Sequence, residues 1–363
     1  MSPKVPLIAL LALLLALPTV AAANSRKKAI WGPVRVDGVS QFPTYEDLGV
    51  GIYQTDLGWN EVAAERPQDP TDPADPAYTW PERIDFAVSE AATYGMRVSL
   101  MVQFAPKWAN GGREREWAPQ DPQDFADFVT AASRRYPQVR HWQVWGEPSR
   151  RIQFRPLALD FKRTKRITPA QREGPEAYAR ILDAAYGALK TANPRNVVIG
   201  GNTFTTGDIA PRKYLKAMRL PNGEPPRLDL YGHNPFTARR PALKKGPFAA
   251  QQGFADFSDL DTLAGWVDRA YRPLGRRPKL FLSEFFVPTD HQNHEFNFYV
   301  SRTTAASWLR SGLRIARRSK RIYTLGWYSL YDDPPRPDGD EVNRGLLTID
   351  GHRKPAYYAY KNG

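Results

Sequence analysis

The sequence has no cysteine in 363 residues, which removes disulfide frameworks, thiolate zinc sites, haem thiolates and iron–sulfur clusters. Histidine is scarce, at five. Two of them, His291 and His294, have the form His-x-x-His with Glu295 following, but the second histidine of a His-Glu-x-x-His zinc helix is missing. No metal site is expected. No Gly-x-Gly-x-x-Gly turn follows an early strand pattern and no Gly-x-x-x-x-Gly-Lys-Ser/Thr loop occurs, which disfavours a doubly wound nucleotide-binding sheet. A Gly-x-Ser-x-Gly elbow is also absent, leaving an esterase with little support.

Acidic side chains are in deficit, 38 against 51 Lys and Arg, a net charge of +13. Such an excess raises encounter rates with polyanions but specifies no fold. The basic residues are scattered pairs rather than one block: Arg150-Arg151, Arg163 and Arg166, Arg239-Arg240 with Lys244-Lys245, Arg276-Arg277 and Arg317-Arg318. Two readings stay open, a rim that attracts an anionic glycan and a solvated arginine-rich surface. No nucleic-acid-binding motif is visible, and no nucleic acid partner is expected.

What is present is globular: 42% hydrophobic and 25% charged residues, enough apolar material for a large core. One run approaches membrane-spanning length. Lys4 precedes the apolar stretch 5–17, Pro18 breaks it, and Ala21-Ala22-Ala23 place small residues before Asn24. That order predicts a signal peptide over 1–23, a mature domain over 24–363, and secretion without stable membrane insertion after cleavage. An uncleaved anchor is the alternative, since 5–23 is just long enough to cross a bilayer core at about 1.5 Å per residue.

Beyond it, β-rich apolar runs alternate with amphipathic helical patterns. Strands are predicted over 34–36, 51–57, 97–104, 139–145, 197–200, 228–232, 279–283 and 322–330, with helices near 44–48, 81–94, from Pro122 through Ala132, 175–192, 211–218, 257–271 and 298–316. Phe125, Phe128, Val129 and Ala132 show the helical spacing plainly. Eight such units predict an α/β fold, a single-domain (β/α)8 TIM barrel. The proline-rich stretches 67–76 and 150–168 read as rim loops.

In such a barrel, functional side chains follow the strand ends. The fourth predicted strand runs into Trp145-Gly146-Glu147-Pro148 and the seventh into Ser283-Glu284-Phe285-Phe286. Each glutamate is flanked by large apolar residues, an environment that raises a carboxyl pKa where burial dominates. A strand-end glutamate alone is usually a rim residue, but a pair on strands four and seven suits glycoside hydrolysis.

These segments carry a resemblance. The mature chain resembles clan A glycoside hydrolases, in style family 39 and family 5. Trp145-Gly146-Glu147-Pro148 resembles the family's Trp-Asn-Glu-Pro, and Ser283-Glu284-Phe285 its nucleophile segment. Tyr231-Gly232-His233-Asn234-Pro235 resembles the stretch bordering the nucleophile, and Gly326-Trp327-Tyr328-Ser329-Leu330 the strand with a sugar-flooring tryptophan. The ending, Gly345-Leu346-Leu347-Thr348-Ile349-Asp350-Gly351 then Lys354-Pro355-Ala356, also matches. The resemblance implies Glu147 as acid/base, Glu284 as nucleophile, a retaining mechanism and no cofactor. It departs at Gly146, where the family carries an asparagine that bonds the substrate 2-hydroxyl. Either another side chain such as Asn202 or His233 replaces that donor, or the substrate lacks a usable 2-hydroxyl, or the barrel binds sugar without turnover.

Aromatic residues near strand ends, Phe104, Trp108, Trp117, Trp145, Phe285, Phe286, Trp327, Tyr328 and Tyr331, divide between core packing and sugar stacking. Trp108 and Trp327 are the strongest expected sugar contacts, with Trp145, Asn202, His233 and Tyr328 completing the expected binding set. The expected function is a secreted, monomeric glycosidase acting on a carbohydrate. A carbohydrate-binding barrel and a wall-remodelling transglycosylase are the alternatives.

Overall fold

The structure is a computed structural model and describes residues 25–160, 166–244, 251–293 and 296–363. The expected signal segment, Arg163, Lys245, His294 and Glu295 lie outside the described residues. Eight strands close a barrel: β1 Ser25–Trp31, β2 Val50–Gly58, β3 Arg97–Gln103, β4 His141–Val144, β5 Val197–Phe204, β6 Leu230–Asn234, β7 Lys279–Phe285 and β8 Ile322–Tyr328. Each pairs in parallel with the next, and β8 returns to β1. The outer helices are α1 Phe42–Asp47, α2 Glu82–Thr93, α3 Pro122–Arg135, α4 Pro169–Ala192, α5 Pro211–Ala217, α6 Leu260–Tyr271, α7 Arg302–Arg318 and α8 Pro355–Lys361. This is the expected (β/α)8 barrel.

The first strand is not where the apolar runs put it. Residues 35–36 form instead one arm of a small antiparallel hairpin with Val39–Ser40. The true β1 begins Ser-Arg-Lys-Lys, which reads as solvated chain, yet Lys28 is buried. Its ammonium donates to the Lys361 carbonyl at 3.2 Å and lies 4.8 Å from the Tyr360 ring centroid. Burial, with the nearby Arg317 charge, lowers its pKa to about 8. Pairing on both edges, with β2 and β8, makes this a central strand despite its polar start.

Helix α4 starts six residues before the predicted boundary at Pro175, which lies inside it. Thr168 and Gln171 form a reciprocal capping box ahead of Pro169. Two satisfied terminal amides and a favourable first-turn proline set the start. In α3, Asp121 caps the Gln123 amide and Phe125, Phe128, Val129 and Ala132 are buried.

Two layers make the core. Between barrel and helices lies one large apolar cluster, while Ala29, Ile52, Ile199, Leu230 and Phe281 fill the barrel interior. Above this interior layer is a polar ladder. Gln143 Nε2 donates to Gln54 Oε1 and Ser99 Oγ, each at 3.1 Å. Ser283 Oγ donates to Gln54 Oε1 at 3.1 Å, and Gln54 Nε2 to the Ser283 carbonyl at 2.8 Å. A Cβ on Gly326 would sit 2.0 Å from the Ser283 carbonyl oxygen, so glycine is required for β8 to approach β7 here. The ladder lies below the barrel mouth, and its linked hydrogen bonds rigidify that level.

Candidate active site

At the C-terminal mouth is a cleft of about 460 Å³, lined by Glu147 and Glu284 together with Asp56, Gln103, Arg150, Arg344 and a group of aromatic rings. Strand β4 ends at Val144, and Trp145 and Glu147 then take left-handed backbone conformations, φ 61° and 41°, with Gly146 between them. Two non-glycine residues in this region cost of order 1–3 kcal/mol each, so surrounding contacts must hold the turn. The Trp145 amide donates to the Val102 carbonyl at 2.9 Å. Trp145 Nε1 donates to the Gln153 carbonyl at 2.8 Å, and Asn202 Nδ2 to the Trp145 carbonyl at 2.6 Å. This turn delivers the Glu147 carboxylate to the cleft.

Glu284 arrives differently. Between Leu282 and Phe285, β7 gains a residue over β8, which pairs Leu325 and Trp327 with the same two positions. A bulge re-aims the side chains that follow it. The backbone below is fixed by Trp31 Nε1, which donates to the Ser283 carbonyl at 3.1 Å.

One side chain ties the two carboxylate-bearing segments together. Asn234 Nδ2 donates to Glu147 Oε1 at 2.8 Å, and its Oδ1 accepts from the Glu284 backbone N–H at 3.1 Å. Glu147 Oε2 accepts from Arg150 Nη1 at 2.8 Å, and the Arg150 guanidinium lies 4.6 Å from the Phe204 ring centroid. Across the cleft, Arg344 bonds both Asp333 oxygens at 2.6 and 2.9 Å and lies 4.5 Å from the Tyr328 ring centroid. Burial, reinforced by the Glu284 charge, pushes the Tyr328 phenol up to about 12. It stays protonated at neutral pH and available as a donor.

The expected binding set divides. Tyr328 lines the cleft with Glu147 and Glu284. The five other expected contacts do not. Trp108 packs edge-on against Trp59, donates to the Ala63 carbonyl at 2.8 Å and lies under Arg66. Trp145 is fully buried against Phe154 and Phe125. Trp327 is buried edge-on to Phe285, its Nε1 donating to the Arg344 carbonyl at 3.1 Å. Asn202 spends its amide on the β4 turn.

His233 is turned inward, bonded to Thr203 Oγ1 at 2.9 Å and the Ala255 carbonyl at 2.8 Å, and burial lowers its pKa to about 4. Its neighbour Asn234 borders the two glutamates instead, because successive strand residues face opposite sides. Neither Asn202 nor His233 therefore supplies a free donor beside Gly146.

Of the other aromatics, Phe286 lines the cleft. Phe285 is buried, Phe104 and Trp117 lie under Arg115 and Arg113, and Tyr331 donates to Gln41 Oε1. Residues that the sequence reading missed include Trp31, Gln103, Phe236, Phe296 and Arg344. Trp31 had a signal, an aromatic at the end of a short apolar run, obscured by the basic residues before it. Among the described residues, no group of three or more histidine or acidic side chains is placed to hold a metal ion.

No family model matches the sequence, and no curated protein matches it. Solved structures do. A family 39 glycoside hydrolase from the gut symbiont Bacteroides cellulosilyticus WH2 superposes with a TM-score of 0.66 at 19% identity, over 93% of this chain and 63% of that one. A glucosidase from Croceicoccus marinus gives 0.63 at 14% identity, over 93% and 67%. A monomeric β-xylosidase from Caulobacter crescentus CB15 gives 0.60 at 17%, over 94% and 69%. This chain thus spans about two thirds of their lengths. At these identities the likeness is one of fold, and the chain shares the (β/α)8 barrel of these solved structures, a family 39 glycoside hydrolase among them.

Proposed function

We propose that this protein is a glycoside hydrolase that cleaves O-glycosidic bonds in an extracellular poly- or oligosaccharide by retaining double displacement. The observation that carries this reading is the placement of Glu147 and Glu284, from β4 and β7, on one cleft with Asn234 bonded to both segments. The named activities of the structural neighbours, a glucosidase and a β-xylosidase, support it.

In the first step a Glu284 oxygen bonds to the anomeric carbon while the glycosidic C–O bond breaks and Glu147 gives its proton to the leaving oxygen. In the second, water attacks that carbon, Glu147 takes the water's proton, and Glu284 leaves as carboxylate. Such a pair works with its carboxylates about 5–5.5 Å apart and requires no cofactor. Phe236, Phe286, Phe296, Trp31 and Tyr328 supply ring faces to the same cleft, surfaces that suit the apolar faces of a sugar.

The reading includes secretion, from the pattern of residues 1–23, and work as a monomer. Among the described residues no helix is long and apolar enough to cross a membrane. The basic excess supports recruitment of an anionic glycan, although the cleft arginines are already paired with Glu147 and Asp333. A KM that rises with salt for acidic but not neutral glycans is the expected result, and equal salt response removes the charge reading.

The test is a glycan panel with product detection, comparing wild type with Glu284→Gln. Released sugar of retained anomeric configuration from wild type alone supports the proposal. Binding without product from either protein makes it a carbohydrate-binding barrel. Transfer to an added acceptor sugar in preference to water makes it a transglycosylase.

A further inference from the structure

Gly146 separates Trp145 from Glu147 and lines the cleft. A Cβ built there would lie 2.7 Å from Met101 Sδ and 2.8 Å from Gln103 Oε1. The volume that a side chain at 146 would occupy is thus held by two residues reaching across from β3. Gln103 is the last residue of β3, next in register to the pair Val102 and Val144 at the end of β4.

Several amides around the mouth are committed to protein partners, while Gln103 and Gln153, which both line the cleft, make no side-chain hydrogen bond among the described residues. Gln54 and Gln143 bond each other, Asn202 holds the Trp145 carbonyl, and Asn234 joins Glu147 to the Glu284 backbone. Of Gln103 and Gln153, Gln103 is the one that fills the space at Gly146: it is half-buried, it lines the cleft with Glu147, and its side-chain amide has no hydrogen-bond partner among the described residues. A carboxamide offers two N–H donors and a carbonyl acceptor. Set in a cleft walled by rings, those groups are met by water until a polar ligand displaces it.

We propose that the Gln103 amide hydrogen-bonds a hydroxyl of the sugar held against Glu147, and that Gly146 exists to make room for it. The inference rests on a sugar occupying this cleft, as in the proposed function. It assigns the specificity-determining contact to β3 rather than to the residue before Glu147. The two arrangements compete for the same space, because a side chain at 146 would require the Gln103 head group and Met101 to shift from the positions they hold here. A sugar lacking the hydroxyl should therefore lose what the amide contributes, and the loss should disappear when the amide is removed.

The experiment compares wild type and Gln103→Ala on 4-nitrophenyl β-xyloside and β-glucoside and on glucosides deoxygenated singly at C2, C3 and C4. The expected result is a fall in kcat/KM of about tenfold or more for the parent sugars in the variant. One deoxy substrate should lose the same factor with wild type and nothing further with Gln103→Ala. Equal additional losses on every deoxy substrate, or unchanged kcat/KM in a variant of wild-type melting temperature, overturn the proposal. If wild type hydrolyses none of these glycosides, the glycosidase reading is what fails, and calorimetric titration with the same compounds decides the contact. Weaker binding to Gln103→Ala restricted to one hydroxyl supports it, and affinity equal to wild type, or no binding to wild type, overturns it. Gln103→Glu adds a second readout, since it keeps the acceptor, loses the donors and places a carboxylate beside Glu147. Its pH profile should shift, whereas Gln103→Ala should lower the profile without moving it.

Discussion

Asn234 donates from its amide to Glu147 Oε1 at 2.8 Å while its carbonyl oxygen accepts from the Glu284 N–H at 3.1 Å. One uncharged side chain thereby sets the position of the carboxylate on β4 relative to the backbone of β7. The bond is buried, and its loss would free Glu147 to rotate toward Arg150. Small displacements of reacting groups cost rate steeply. We expect Asn234→Ala to lower kcat by roughly 100-fold with little change in KM. Asn234→Asp should be worse, because it sets a second carboxylate against Glu147. Steady-state kinetics beside a melting curve check this, and an intact kcat in either variant would count against the linking role.

The two glutamates have separable roles in a double displacement. Glu284→Gln should abolish turnover of all glycosides, a loss of at least about 10³-fold. Glu147→Ala should slow sugars with poor leaving groups by roughly 10²–10⁴-fold. It should slow aryl glycosides with acidic phenols much less, because these leave without a proton. Turnover of the true substrate surviving both substitutions would refute the proposed chemistry.

Acid should destabilise the fold through its buried histidines. His141 lies in the barrel with Nε2 within 2.8 Å of the Tyr323 hydroxyl, and burial, with the Arg97 and Arg26 charges, lowers its pKa to about 4. Burial lowers His233 to about 4 as well. Between roughly pH 6.5 and 4 the unfolded chain binds protons at these rings and the folded one does not, so stability falls as pH falls through that window. Urea unfolding at pH 7 and pH 5 should show this decline, and His141→Gln should lessen it. An identical pH slope in the variant would show that other groups dominate.

Helix α4 offers a test of local encoding. Thr168→Ala removes one half of its capping box and should cost about 1 kcal/mol, with catalysis unaffected. Thr168→Asn should recover most of the loss. Equal stability of all three proteins would mean that packing of α4 on α3 alone sets the helix start.

The sequence by itself determined the barrel and the two glutamates at strand ends. Apolar β-runs such as 97–103 and amphipathic stretches such as Phe125 to Ala132 encode their elements locally, and a polar residue just past a strand must fall at the mouth. It also led to errors of a consistent kind. Ser25–Trp31 was missed because Lys28 finds its polar and aromatic partners at the Lys361 carbonyl and the Tyr360 ring, more than 300 positions away.

Which ring or amide faces the cleft was decided by the tertiary structure alone. Left-handed turns at Trp145 and Glu147 and the bulge before Phe285 change the alternation of side chains, and both depend on packing against neighbouring strands. So Trp108, Trp145 and Trp327 went into the apolar shell, while Trp31, Gln103, Asn234 and Arg344, distant from one another in the chain, met at the site. The meaning of Gly146 is likewise three-dimensional. An absent side chain in the turn after β4 becomes informative only once Met101 and Gln103 are seen to fill its space.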